Sequence, residues 1–143
     1  MSVRKNLIGL TLKVKIIKSL FALPCLVLML MSAQASALCL TLTDSYSGII
    51  EPRSEAPAFG PFTISSANGC SNANIDAMVS AADGGRAPQI YIQHQVGGSW
   101  KTVVSNPLSA YASWLGPLGT YRVMLNNPEA VSKSYWGTVR FGR

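Results

Sequence analysis

The stretch Gln89-Ile90-Tyr91-Ile92-Gln93-His94-Gln95-Val96-Gly97-Gly98-Ser99-Trp100-Lys101-Thr102-Val103-Val104-Ser105 reads as a β-hairpin. Ile90, Ile92, His94 and Val96 recur at every second position, the period of a strand with one buried face. Gly97-Gly98 is a two-residue turn in which both residues tolerate the positive φ of a tight hairpin. The return strand puts Trp100, Thr102 and Val104 on one face and Lys101 and Val103 on the other.

Downstream, Asn106 to Gly119 holds Pro107, Gly116, Pro117 and Gly119 and reads as a loop, although Tyr111, Trp114 and Leu115 are too apolar to stand in water. Thr120 to Asn126 alternates Tyr121, Val123 and Leu125 against Arg122, Met124 and Asn126. Asn127-Pro128 opens a loop, and Ser134 to Phe141 alternates Tyr135, Gly137, Val139 and Phe141 against Trp136, Thr138 and Arg140.

Upstream, Leu38 to Thr43 suits a half-buried strand, Asp44-Ser45 a turn, and Tyr46 to Ile50 a short second strand. Glu51 to Gly60, with Pro52, Pro57 and Gly60, reads as a loop before a strand at Pro61 to Ser65. Ser71 to Ala82 fits two periods. Ile75, Met78, Val79 and Ala82 make a helical stripe, while Ile75, Ala77 and Val79 alternate as in a strand; the short helix is the preferred reading. Short strands, Gly/Pro turns and at most one short helix predict a mainly β fold. The expectation is a small antiparallel β-sandwich, immunoglobulin/fibronectin-like or jelly-roll-like.

The first 37 residues have a different character. Arg4, Lys5, Lys13, Lys15 and Lys18 precede the apolar run Leu20 to Met31, and Ala35-Ser36-Ala37 follows as a small-x-small cleavage pattern. Residues 1–37 therefore read as a signal peptide and residues 38–143 as a single exported domain, periplasmic or extracellular. A retained anchor is the alternative, but the run is short of the about 20 residues of a span and contains Pro24. Without the leader, seven Lys and Arg face six Asp and Glu, a net charge of +1 in place of the whole chain's +6. A nearly neutral domain has no pull toward phosphate backbones, so nucleic acid is not an expected partner.

Cys25 lies in the leader, which leaves Cys39 and Cys70 as an even pair, read as a disulfide in an oxidising compartment. His94 is the single histidine and reads as a strand residue packed beside Ile92 and Val96. A general base needs a nucleophile and an orienting carboxylate, and neither has a local motif. The acidic residues Asp44, Glu51, Glu55, Asp76, Asp83 and Glu129 are scattered. No nucleotide, metal or organic cofactor is implied, and the chain reads as a non-enzyme.

Leu115-Gly116-Pro117-Leu118-Gly119-Thr120-Tyr121-Arg122-Val123 resembles the turn entering a late strand in immunoglobulin-like and fibronectin-like sandwiches. The resemblance implies that the Tyr121 hydroxyl pins the corner to upstream backbone. Pro61-Phe62-Thr63-Ile64 followed by Cys70, with Cys39 near the mature start, resembles fimbrial pilins, which implies a surface-fibre subunit completed by a neighbour's strand.

Trp136, in the outward phase beside Arg140 and Arg122, and Trp114 with Tyr111 in the Pro/Gly loop, form the candidate surface for a protein or glycan partner. The leading expectation is an exported binding or assembly module that works through aromatic surface and sheet edges. The alternatives are the pilin-like subunit, a small secreted enzyme or inhibitor presenting Glu51 to Gly60 or Asn106 to Gly119, and a membrane-active toxin, which the low charge disfavours.

Overall fold

A computed structural model describes residues 39–143, so the leader, its cleavage pattern and Cys25 lie outside the described residues. Eight strands follow in order: β1 (Thr41–Ile50), β2 (Ser54–Ile64), β3 (Ala73–Ala81), β4 (Gln89–Val96), β5 (Ser99–Asn106), β6 (Tyr111–Gly116), β7 (Gly119–Asn127) and β8 (Lys133–Gly142). One 3-10 turn, Ser66–Asn68, precedes β3. The first sheet runs β1-β8-β3-β6 and the second β2-β7-β4-β5, and all pairs are antiparallel. Every connection except the β4–β5 hairpin crosses between sheets. This interleaving of two Greek keys is the jelly-roll arrangement of a β-sandwich.

The alternation sets which faces meet. Ile50, Ile75, Val79 and Val139 of the first sheet and Ile64, Ile90, Ile92, Val123 and Leu125 of the second are fully buried between them. Each such side chain contributes about 1.5–3 kcal/mol by leaving water. Tyr46 lies across this core, and its hydroxyl donates to the Met78 carbonyl at 2.7 Å. Cys39 and Cys70 are disulfide-bonded, which ties the chain before β1 to the chain before β3. Gly142 passes directly beside them, so that a Cβ there would stand 2.7 Å from Cys39 Sγ.

Four sequence readings are corrected. The preferred helix at Ser71 to Ala82 is the strand β3. Ala73, Ile75, Ala77 and Val79 are buried while Met78 is exposed, because β8 and β6 pair with β3 on either side and only the two-residue period gives both a partner. Glu51 to Gly60 contains most of β2 rather than a loop. Pro57 and Pro61 are tolerated because β2 is an edge strand paired only with β7, and two register shifts absorb the mismatch. Asp44-Ser45 is no turn: β1 pairs with β8 without interruption from Thr41 to Ile50. Asn106 to Gly119 contains the edge strand β6, with Tyr111 and Leu115 outward and Ala112 and Trp114 facing the core.

The hairpin forms as read, with Gly97 and Gly98 at φ 59° and 82°. One detail differs. Ile92 pairs with Val104 but Gln93 pairs with Thr102, which leaves Val103 as an extra residue on β5. The bulge inverts the phase, so Val104 packs on the core while Trp100 and Thr102 stand on the outer face.

Candidate functional site

The outer face of the first sheet is built from the positions of β1, β8, β3 and β6 that alternate with the core. Register sets its rows. Trp136 has Ser47 on one side and Ser80 on the other; Thr138 has Ser45 and Met78, with Tyr111 beyond; Arg140 has Thr43 and Asp76, with Ser113 beyond. Small hydroxyl residues thus flank Trp136, and the indole is 50% exposed. Met78 and Tyr111 are also exposed.

Asp76 organises the neighbouring row. Its Oδ1 accepts from Tyr111 Oη at 2.5 Å and from Ser113 Oγ at 2.8 Å, and its Oδ2 pairs with Arg140 Nη2 at 3.2 Å. The Tyr111 hydroxyl chiefly, then Ser113 and Arg140, hold the carboxyl below its ordinary range against some desolvation. A surface pair of this kind adds little stability. Its effect is positional: it fixes the Tyr111 ring and the Arg140 guanidinium beside a shallow cleft of about 330 Å³ lined by Thr43, Met78 and Thr138.

The structure brings Trp136, Arg140 and Tyr111 onto this one face. It does not bring Arg122 or Trp114 there. Arg122 lies on β7, on the outer face of the second sheet, where Nε donates to Gln93 Oε1 at 2.8 Å and the guanidinium carbon sits 4.2 Å from the Trp100 ring centre. Trp114 packs against the core, with its buried Nε1 turned toward the Tyr121 hydroxyl. Tyr121 is fully buried and donates to the Pro117 carbonyl at 2.5 Å, the upstream backbone bond that its corner position implies. His94 stacks on Tyr121 at 4.4 Å between ring centres and 12° between planes. It makes no side-chain hydrogen bond to a carboxylate or hydroxyl among the described residues.

Two features escaped the sequence reading. Asn127, fully buried, donates to the Glu51 and Val131 carbonyls at 3.0 and 2.8 Å, and its Oδ1 accepts from the Glu129 N–H at 3.1 Å. It clasps the β7–β8 loop to the end of β1; the run Asn126-Asn127-Pro128 is its only sequence signal, and that signal says turn. The second is an amide-rich cleft of about 260 Å³ on the outer face of the second sheet. It assembles from Glu55, Gln89, Gln93 and Asn126, the polar phase of three different strands. The phase of Gln89, Gln93 and Asn126 was legible strand by strand, but Glu55 fell in a stretch read as a loop, and the neighbours were not legible.

No protein-family model and no curated protein matches the chain. Among solved structures, the chain is similar to the Yersinia pseudotuberculosis-derived mitogen, with a TM-score of 0.52 and 14% identity over 70% of this chain and 86% of that one. A disulfide-linked pilus of Bacillus endospore appendages follows at a TM-score of 0.37 and 15% identity, covering 78% of this chain and 96% of that one. PirA is at a TM-score of 0.36 and 15% identity, covering 68% and 92%. The first likeness is one of fold, the β-sandwich; the other two superpose too loosely to bear on it.

Proposed function

We propose that this chain is an exported, non-enzymatic binding module that docks a protein partner on the outer face of its first sheet. The observation that carries the reading is Trp136, half exposed in the middle of a sheet and flanked by Ser47 and Ser80. With Met78, Tyr111 and Arg140 it makes a set of residue types enriched at the buried centres of protein interfaces. Export is supported by the signal-peptide pattern of residues 1–37 and by the disulfide, which persists in oxidising compartments. A fibre subunit completed by a neighbour's strand would leave a gap in its own sheets. Here both sheets take four strands from the one chain, which favours a self-contained module.

Photo-crosslinkers at Ser47, Ser80 and Gln95, in cells exporting the protein, test the reading. Adducts of one mass from Ser47 and Ser80 are expected, none from Gln95, and loss of them in Trp136→Ala with an unchanged Tm. Adducts that survive Trp136→Ala, or that form equally from Gln95 on the other sheet, would sink it.

A further inference from the structure

The sandwich has four edge strands, β1 and β6 in the first sheet and β2 and β5 in the second, and three of them are blunted. β2 carries Pro57 and Pro61 and breaks register twice, β5 carries Lys101 and the bulge at Val103, and β6 has only six residues. β1 has none of these devices: it runs ten residues without Pro, Lys or Arg and pairs with β8 without interruption. Two bonds fix the phase of its ladder. The Arg143 N–H donates to the Leu40 carbonyl at 2.7 Å, and on the other side of β8 the Ala82 N–H donates to the Ser134 carbonyl at 2.9 Å. Antiparallel bonds alternate along a strand, so the even-numbered residues of β1 turn their N–H and C=O groups toward β8. Thr41, Thr43, Ser45, Ser47 and Ile49 turn theirs to the free edge, where no described residue bonds them.

We propose that β1 pairs antiparallel with β1 of a second copy of this chain, joining the two first sheets edge to edge. Residues that face the free edge must meet their like, and the register centred on Tyr46 does this. It sets Thr43 opposite Ile49 of the second copy and Ser45 opposite Ser47 of the second copy, each repeated by the two-fold axis. Every one of these pairs exchanges two backbone bonds. Charge selects the register. Asp44 is the single charged residue of β1 and takes an inward phase, which by itself guards an edge. Centred on Ser45, the two Asp44 carboxylates would lie diagonally across the axis; centred on Tyr46, each faces Gly48 of the second copy, which has no side chain to oppose it. The Tyr46 rings leave the axis clear, because each leans over Gly137 of its own β8, away from the edge. Leu42, 37% exposed, gains Ile50 of the second copy beside it. A second copy therefore matches each exposed donor with an acceptor and opposes no like charges. The two-fold pair also closes on itself, uses up both free β1 edges and keeps both docking faces on one side of the joined sheet.

Sedimentation equilibrium of the protein recovered from exporting cells, from about 1 μM to about 1 mM, is the test. A monomer–dimer equilibrium is expected, with no larger species. Ser45→Pro removes an N–H that the β8 ladder does not use, so that variant should fold with an unchanged Tm and associate at least tenfold more weakly. Ser45→Lys combined with Ser47→Lys should weaken the dimer to a similar degree at low salt. Ser45→Lys combined with Ser47→Glu should restore it, because the two positions then face each other across the axis with opposite charges. A wild type that stays monomeric throughout, a Ser45→Pro dimer of equal affinity, or no recovery in the variant of opposite charges would overturn the proposal. The dimer stands or falls apart from the docking reading. A photo-crosslinker at Ser47 that traps a second copy gives an adduct of twice the chain mass, which Ser80 does not give and Trp136→Ala does not remove, so it is told apart from a docked partner.

Discussion

The ring of Tyr46 on β1 lies across Gly137 on β8, so closely that a Cβ at Gly137 would stand 2.6 Å from two of its carbons. The glycine is what lets the tyrosine cross β8 and deliver its hydroxyl to the Met78 carbonyl on β3. Three strands of the first sheet are thereby joined on their inner side. Burial, with a smaller contribution from Tyr135, pushes the Tyr46 hydroxyl well above its ordinary range, so it stays a donor.

Gly137→Ala should press its Cβ into the Met78 backbone carbonyl of β3 as well as the Tyr46 ring, so the strands themselves must shift, at a cost of about 3 kcal/mol, the upper end for overpacking in a closed core. Tyr46→Phe, which keeps the ring and loses one bond, should cost about 1 kcal/mol. Urea unfolding checks the order. A Gly137→Ala protein as stable as wild type would show that β3 and β8 can part at Met78 without cost.

Asn127→Ala should loosen the end of the sandwich. It strips partners from the Glu51 and Val131 carbonyls and the Glu129 N–H at a fully buried position. A loss of roughly 2 kcal/mol, or about 10 °C in Tm, is expected for a domain of this size. Calorimetry reads it directly, and hydrogen exchange should rise first in the loop between β7 and β8.

The disulfide closes a loop with a sequence separation of 31, which in the chain-entropy model corresponds to about 3–4 kcal/mol. The double variant Cys39→Ser with Cys70→Ser should lower the denaturant midpoint accordingly, and reductant should then have no further effect. A midpoint unmoved by either treatment would mean that the unfolded chain is already restrained there.

Asp76 contributes a pH dependence of known sign. Its carboxyl is lowered, foremost by the Tyr111 hydroxyl, so the folded state favours the ionised form. That stabilisation is complete above the ordinary carboxylate pKa of about 3.9 and fades as pH falls through the lower folded-state value. Wild type should thus exceed Asp76→Asn in stability at neutral pH, with the gap closing below about pH 4. A gap that widens on acidification would contradict the hydrogen-bond assignment.

Where a strand carried a strict alternation, its inward set was legible. Tyr121, Val123 and Leu125 of β7 and Tyr135, Val139 and Phe141 of β8 are buried as their phase requires. Trp136 and Arg140 stand outward for the same reason. The first part of β2 and the β6 edge were not legible, because Pro57, Gly60 and Gly116 are the signals of loops when no partner strand is in view; the end of β2, from Pro61, was read as a strand. Of the candidate surface, the residues on β8 and β6 that alternate outward came together. Arg122 and Trp114 did not, because phase along one strand says nothing about which sheet that strand joins.

The sequence by itself determined the local facts: the Gly97-Gly98 hairpin, the two-residue periods of β4, β7 and β8, and an even cysteine pair after a leader-like segment. Each rests on residues within one strand or turn, or on a count. The tertiary structure decided that residues 73–81 are a strand, that the two Greek keys interlock as a jelly roll, and which side chains share a face. A strand's backbone is satisfied only by neighbours, and β3 takes its own from β6 and β8, far along the chain. The cleft beneath Gln89 and Asn126 likewise exists only because β2, β7, β4 and β5 lie side by side, an adjacency that no single segment encodes.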